Sequence, residues 1–229
     1  MKEQAACALS LLARVPGETN ASSPAIAIAK EGGIAPLIAL LDRDMGSEEC
    51  QVRAADALSS LAQKADNKES ILAAGGIAPL VALLSDGGTE AKQGAAKALA
   101  RLSHGDEWTQ VAIGEAGAIA PLVNLLSGDR GEAAQEEAAN ALWALADHAT
   151  NRLAITESGG IGPLVVLLGC PNAKAREHAE GALVRLSIEN ANRVLIIKKL
   201  VAMLMQDQHK DQQAEQTGGV RASADDHSA

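Results

Sequence analysis

Two short apolar patterns alternate along this chain at a shared period. The first is a glycine-containing corner followed by Ile-x-Pro-Leu, and its prolines stand at positions 36, 79, 121 and 163. The second is rich in alanine and ends in leucine, with five copies at 5–9, 54–58, 95–99, 138–142 and 179–183. Self-similarity at a period of about 42 residues indicates an array of structural repeats rather than one irregular domain.

Each repeat is predicted to contain three helices, as the second full unit illustrates. A short helix over 67–74 is opened by an Asn or Asp cap and ended by Gly75-Gly76, since glycine adopts the left-handed conformation readily. Pro79 lies in the first turn of the second helix, where its missing N–H costs nothing, and that helix ends near Leu84. A longer third helix runs from Thr89 to about Ser103. Apolar residues recur along it at helical spacing: Ala95, Ala98, Leu99 and Leu102.

A unit of this size cannot bury its own hydrophobic face, so the units must stack on one another. The short first helix, the Gly-Gly-x-x-Pro corner and the long third helix resemble the armadillo repeat. The resemblance extends over residues 1–206 and implies an all-α fold, a right-handed α-solenoid superhelix with about four full units. An array of HEAT repeats, which have a similar length and usually two helices, is the alternative.

The predicted domain organisation is an armadillo array over 1–206 followed by a disordered polar tail over 207–229. Residues 1–14 match a third helix alone, which leaves an apolar flank that a further chain segment or a second copy would have to cover. Residues 15–24 are predicted to form an exposed loop. The units of the array are approximately 1–14 (partial), 24–64, 66–105, 107–149, 150–190 and 191–206 (a degenerate cap).

The cap is predicted as a first and a second helix fused into one. Lys198-Lys199 is expected to point outward. Six apolar residues are expected to cover the last repeat: Val194, Leu195, Ile196, Leu200, Val201 and Leu204.

Composition narrows the choice of partner and compartment. The formal net charge is −9 and the chain has two Trp, no Phe and no Tyr, so it lacks the basic stripe and aromatic platforms that favour nucleic acid. No apolar run approaches the roughly 20 residues that span a bilayer. Cys7, Cys50 and Cys170 are far apart and have no metal-ligand spacing, which favours a reducing, cytoplasmic or nuclear location.

Polar positions on the third helices define the candidate binding surface. In armadillo arrays these helices line the concave groove, and the matching residues here lie three or four positions apart along each helix. We call this set the third-helix stripe, expected to be basic around Lys97 and Arg101 and acidic around Glu137 and Asp147. A solvated face without a partner is the alternative. The stripe consists of Arg53, Asp56, Ser60, Gln63, Lys97, Arg101, His104, Glu137, Asn140, Asp147, His178 and Arg185.

The stripe lacks the Trp and Asn ladder of importin-α-like nuclear transport adaptors. The positions that would match the ladder are the pairs Asp56/Ser60, Lys97/Arg101, Asn140/Ala144 and Gly181/Arg185. A receptor for nuclear localisation signals is therefore disfavoured. β-Catenin-like and plant U-box-associated arrays are looser relatives, although no U-box or other companion domain is recognisable.

The predicted function is a scaffold that binds a peptide or protein along the concave groove. One alternative is a structural fragment of a longer armadillo protein that self-associates through the uncapped N-terminal end or is completed by missing repeats. Another is the substrate-recruiting arm of a ubiquitin ligase.

The two tryptophans are the remaining candidates for partner contact. Trp143 lies beside the stripe, where half-buried packing is favoured over partner contact. Trp108 follows Gly105-Asp106-Glu107 and is expected to pack on the ridge of the array, with partner contact again the alternative.

No catalytic, cofactor or metal site is predicted. The chain has no nucleophile elbow, P-loop or His-Glu-x-x-His motif. His104 and His148 occupy equivalent turns of successive units, but no third metal ligand accompanies them. The chain is therefore not expected to be an enzyme.

Overall fold

Fourteen helices in series make up the described residues, which are 2–14, 24–127 and 131–205 of a computed structural model. No strand occurs in these ranges. Helix α1 (Lys2–Arg14) precedes four three-helix units, and α14 (190–205) follows them. The units comprise α2 (Pro24–Lys30), α3 (Ile34–Ala39) and α4 (Glu48–Leu61); α5 (Ala65–Ala73), α6 (Ile77–Asp86) and α7 (Thr89–Ser103); α8 (Glu107–Glu115), α9 (Ile119–Leu126) and α10 (Glu132–Leu145); and α11 (Ala149–Glu157), α12 (Ile161–Leu167) and α13 (Ala173–Leu186).

The corner between the first and second helices forms as predicted. Gly75 has φ +72°, the left-handed conformation that glycine adopts without penalty, and the amide of Gly76 donates to the carbonyl of Ile71 at 2.9 Å. Pro79 occupies the first turn of α6, where its missing N–H leaves no hydrogen bond unmade.

Helix α6 ends two residues later than predicted. It continues through Ser85 and Asp86 because the backbone first leaves the helical conformation at Gly87, where ψ is 166°. The Ser85 hydroxyl donates to the Val81 carbonyl at 3.2 Å within this last turn. Gly87 then closes the helix by donating its amide to the Leu83 carbonyl at 2.9 Å.

The Asn or Asp cap predicted for the first helix of the second unit is wrong. Helix α5 begins at Ala65, and its N-cap residue Lys64 makes no side-chain cap hydrogen bond. Asn67 is buried and donates to two carbonyls, that of Leu61 at 3.2 Å and that of Ala25 at 3.3 Å. The Asn67 side chain therefore links α5 to α2 and α4 instead of capping the start of α5. In the next unit Asp106 does cap α8, since its carboxylate accepts from the amide of Thr109 at 3.0 Å.

The core runs along the stacked third helices. Helices α1, α4, α7, α10 and α13 pack against one another in that order. Leu58, Leu99 and Leu142 occupy equivalent positions and are fully buried. Gly94 permits a close approach, because a Cβ there would lie 3.0 Å from that of Ala55. Because small aliphatic side chains recur at a fixed period, the third helices pack in the same orientation. The same face of each third helix therefore lies on one surface of the array.

The C-terminal helix is continuous, as predicted, but fewer of its apolar residues cover the last repeat. Ile196 is buried, and Leu200 and Met203 are partly buried against the core. Lys198 and Lys199 are exposed, as expected. The prediction that all six apolar residues would be covered is wrong, because one straight helix turns a single face to its neighbour. The exposed members of the set are Val194, Leu195, Val201 and Leu204.

Two predicted segments fall outside the described residues. They are the tail over 207–229 and the loop over 15–24 except Pro24, which begins α2. Within the described part of the chain, Cys50 and Cys170 are free cysteines. In the same part, no single helix is long and apolar enough to cross a membrane. Two helix pairs reach the required length and composition only when joined across bends of 81° and 83°.

Candidate functional site

The third-helix stripe lies on α4, α7, α10 and α13, except that Gln63, His104 and Asp147 lie just beyond the ends of their helices. Contacts between units connect most of its members. Because these helices stack side by side in successive repeats, stripe residues of one unit contact stripe residues of the next, at positions offset by one or two helical turns. Lys97 Nζ lies 3.6 Å from Glu137 Oε1, His104 Nε2 lies 3.3 Å from Asn140 Oδ1, and the nitrogen Nε of Arg185 lies 2.7 Å from Asp147 Oδ1. One ion pair, Lys97–Glu137, therefore joins the predicted basic zone to the acidic zone.

A polar cavity of about 330 Å³ opens on the stripe between α4 and α7. We call it the α4–α7 cavity. Five stripe residues line it, together with two that the periodicity did not identify. The lining residues are Asp56, Ser59, Ser60, Gln63, Gln93, Lys97 and Arg101.

Arg101 connects the two helices that form the cavity. Its Nη1 donates to the carbonyl of Ser59 at 2.8 Å. Burial lowers the pKa of the Arg101 guanidinium, and the carboxylates of Glu137 and Asp56 partly offset this effect. The side chain stays cationic, since an arginine pKa lies far above neutral pH.

Ser60 is not an exposed member of the stripe, contrary to the prediction. It is 9% exposed, because its short side chain lies recessed below the longer polar side chains around it. Ser59 is also buried, and its hydroxyl has no hydrogen-bond partner among the described residues. An unpaired buried hydroxyl is uncommon in proteins and is satisfied by a ligand or by water when one is present.

The remaining stripe residues show two further arrangements. Arg53 pairs with Glu49 on its own helix at 2.8 Å, one turn earlier. His178 lies against Trp143, with ring centroids 5.8 Å apart, and its Nδ1 is 3.3 Å from the carbonyl of Glu136.

Trp143 is half-buried between α10 and α13, as predicted. A Cβ at Gly181 would lie 2.5 Å from Trp143 Cε2, so the indole occupies the space that any side chain there would need. The prediction for Trp108 is wrong. This residue is 66% exposed at the start of α8 instead of packed on the ridge, because Thr109 and Gln110 occupy the buried side of the first turn.

The sequence pattern did not identify two groups of residues at or near the site. Ser59 and Gln93 lie beside the stripe positions. The spacing of Gln93, four residues before Lys97, could have identified it as a member of the same helix face. The second group is the polar residues of the first helices, such as Asn67, whose burial depends on neighbouring units.

No group of three or more His, Cys, Asp or Glu side chains in the described ranges could hold a metal ion. The two histidines that were considered as metal ligands, His104 and His148, contact different residues. His104 contacts Asn140, and His148 Nε2 lies 3.6 Å from Glu107 Oε1.

Comparison with known proteins agrees with this architecture. The sequence model of the armadillo/beta-catenin-like repeat matches residues 64–104 and 109–147. No curated protein matches the chain significantly. A crystal structure of an engineered protein is similar at 30% identity, covering 90% of this chain and 81% of that one, with a TM-score of 0.77.

Two further similar structures are designed armadillo proteins. One, described as computationally designed for modular peptide recognition, is 26% identical, with coverage of 89% and 84% and a TM-score of 0.77. The other, in complex with the peptide (KR)4, is 27% identical, with coverage of 89% and 83% and a TM-score of 0.74. The chain belongs to the armadillo repeat family, and its fold is an α-solenoid.

Proposed function

We propose that this armadillo protein is a non-catalytic scaffold that binds a peptide or protein segment along a concave groove formed by its third helices. The observation that carries the proposal is the stripe itself. It runs through four successive units, and its ion pairs and hydrogen bonds hold many of its polar side chains in position before a partner arrives. Preorganised polar groups lose little conformational entropy on binding, which favours recognition.

The relatives support the same type of function. One similar structure is described as designed for peptide recognition, and another contains a bound peptide. The stripe of the present chain differs from the importin-type ladder, so the proposed partner is not a nuclear localisation signal. The proposed location is the cytoplasm or the nucleus.

Selection from a displayed library of random dodecapeptides tests the proposal. Recovered peptides should bind the wild-type protein and lose at least about tenfold in affinity for Lys97→Glu/Arg101→Glu. The matched control is Lys174→Glu/Lys198→Glu, which makes the same change in net charge at exposed residues outside the stripe. Failure to recover peptides, or equal weakening by the two double variants, would contradict the proposal.

Association between copies through the ends of the array is a second candidate function. It is favoured by large apolar side chains exposed at both ends, such as Leu11 (55%) on α1 and Leu204 (66%) on α14. Sedimentation velocity over a hundredfold range of concentration tests it. A concentration-dependent dimer that Leu11→Glu or Leu204→Glu abolishes supports this candidate, and a monomer throughout excludes it.

A further inference from the structure

We propose that the α4–α7 cavity is a subsite for a carboxylate of the bound segment, supplied by an acidic side chain or by a chain terminus. The proposal rests on the proposed function, because it assigns a partner chemistry to part of the stripe. It goes further by predicting that the partner is acidic at this point, unlike the basic (KR)4 peptide of the similar designed protein.

The size and lining of the cavity suit one polar group. Its volume of about 330 Å³ is at the low end of the range for ligand pockets, roughly 300–1,000 Å³, and is large enough for one side chain of a bound segment. Among the described residues, hydroxyls, amides and charged groups line it, with no aromatic or large aliphatic side chain.

The donors in the cavity match a carboxylate. Lys97 and Arg101 are cationic, and among the described residues the hydrogen bond of Arg101 goes to the Ser59 carbonyl from Nη1, so its other nitrogens can serve a ligand. Ser59 also lines the cavity, and its buried hydroxyl has no partner among the described residues. We assign all three donors to the carboxylate, and the hydrogen bonds from the two cations are expected to be the strongest, because both partners are ionised.

The ion pair with Glu137 leaves hydrogen-bond donors of Lys97 free. Their N···O distance of 3.6 Å is well beyond the roughly 2.7–2.9 Å of a charge-assisted hydrogen bond. The ammonium group of Lys97 has three N–H donors, so it can donate to a second anion. Among the described residues of the lining, Asp56 is the one carboxylate, against the cations Lys97 and Arg101.

The cavity is less acidic than the chain as a whole. Its described lining contains Lys97, Arg101 and Asp56, and Glu137 lies 3.6 Å from Lys97, so cations and carboxylates balance there although the chain carries −9. At about 150 mM salt the screening length is roughly 8 Å, so repulsion from distant acidic residues is weakened more than contacts inside the cavity. We therefore expect a carboxylate to bind at this site through direct contacts with Lys97 and Arg101, despite the overall charge.

Fluorescence anisotropy with four labelled octapeptides tests the proposal at about 150 mM salt. The probes are (Glu-Ser)4 amide, (Gln-Ser)4 amide, (Gln-Ser)4 with a free C-terminus, and (Lys-Arg)4 amide. One of the two carboxylate probes should bind about tenfold tighter than (Gln-Ser)4 amide. Preference for (Glu-Ser)4 amide identifies a side-chain carboxylate, and preference for the free C-terminus identifies a chain end.

Three variants localise the effect. Lys97→Gln/Arg101→Gln should remove the preference, and Ser59→Ala should reduce it about threefold because one hydrogen bond from an uncharged donor is lost. Lys174→Gln/Lys198→Gln, with the same change in net charge, should leave the preference unchanged. Circular dichroism confirms that each variant is folded.

Several results would overturn the carboxylate subsite: no detectable binding of either carboxylate probe up to about 1 mM, tighter binding of (Lys-Arg)4 amide, or an equal loss in the control variant. The proposed function has a separate outcome. If library peptides bind the stripe but contain no carboxylate that contributes, the scaffold function stands and the subsite is wrong.

Discussion

Buried polar side chains near the start of the first helices donate hydrogen bonds to carbonyls at the end of the preceding third helices. The last carbonyls of a helix have no partner within it, so an outside donor must satisfy them. Asn67 donates to Leu61, and at the equivalent position in the last helix Asn192 donates to Leu186 at 3.1 Å. Gln110 serves Ser103 in the same way at 3.1 Å. These residues therefore fix the corner between one unit and the next.

Removing the amide of Asn67 should destabilise the fold. Asn67→Ala leaves the carbonyls of Leu61 and Ala25 without this donor, and we expect a loss of about 2 kcal/mol in the free energy of unfolding measured in urea. Asn67→Asp keeps the shape but cannot donate when ionised, so it should cost at least as much. The exposed neighbour Asp66→Ala is the control, expected within about 0.5 kcal/mol. Equal effects at the two positions would contradict the assignment.

The cap of α8 makes a prediction about acid titration. The pKa of Asp106 lies below its ordinary value chiefly because the Thr109 hydroxyl donates to the carboxylate, helped by the backbone amides of Thr109 and Trp108. Thr109→Val should raise this pKa toward the ordinary value in an NMR titration of the carboxyl carbon, and Thr109→Ser should not.

The lowered pKa of Asp106 determines how the stability of the fold changes with pH. A carboxyl whose pKa is lower in the folded state stabilises the fold above its unfolded-state pKa, and this contribution is lost as pH falls through the folded-state pKa. Asp106→Asn retains a capping oxygen without the titration, so it should remove this part of the acid dependence. An unchanged acid profile would contradict the assignment.

At the scale of elements, local signals were predictable and contacts between units were not. The bounds of α7, 89–103, were predicted correctly, because Gly87-Gly88 and the positive-φ Gly105 interrupt the helical pattern on either side. The stripe followed from the period alone. The hydrogen bond from Arg101 to Ser59 did not, because it depends on how two helices 42 residues apart are offset. The buried face of α14 could not be predicted from the sequence, because apolar residues occur on all sides of this helix.

The two glycines of one corner should respond differently to alanine. Gly75 has φ +72°, so Gly75→Ala should cost about 1–2 kcal/mol in unfolding free energy. A Cβ at Gly76 would lie 2.7 Å from Ile71 Cγ2, but the third corner already has Ala118 at this place. There the equivalent amide–carbonyl distance, to Ile113, is 3.3 Å instead of 2.9 Å. Gly76→Ala should therefore cost under about 1 kcal/mol, and a reversed order would contradict this explanation.

Neighbouring isoleucines in α14 test which face of the helix is packed. Ile196 is 7% exposed and Ile197 is 55% exposed. Ile196→Ala should lower the free energy of unfolding by about 2 kcal/mol, whereas Ile197→Ala should change it by about 0.5 kcal/mol or less. The two substitutions remove the same atoms from adjacent positions, so each controls for the other. Similar losses would mean that the helix is oriented differently.

At the scale of the whole molecule, each third helix packs mainly on the third helices of the units beside it. Helix α7 lies between α4 and α10. In the described part of the chain, no third helix packs extensively on a third helix other than those of the adjacent units. Stability in such an array is close to a sum of unit terms and nearest-neighbour interfaces. A helix inside the array has two such interfaces, whereas α1 has one, with α4.

Hydrogen exchange followed by mass spectrometry should therefore show a gradient of protection along the chain. Peptides from α7 and α10 should exchange slowest, and those from α1 and α14 fastest, because a terminal helix opens by breaking fewer interfaces. Leu99→Ala, a fully buried change in α7, should raise exchange in α4, α7 and α10 together. Ile196→Ala should raise it mainly in α14 and the adjoining last unit. If both variants raised exchange equally along the whole array, the molecule would open as one cooperative unit, and nearest-neighbour packing would not describe its stability.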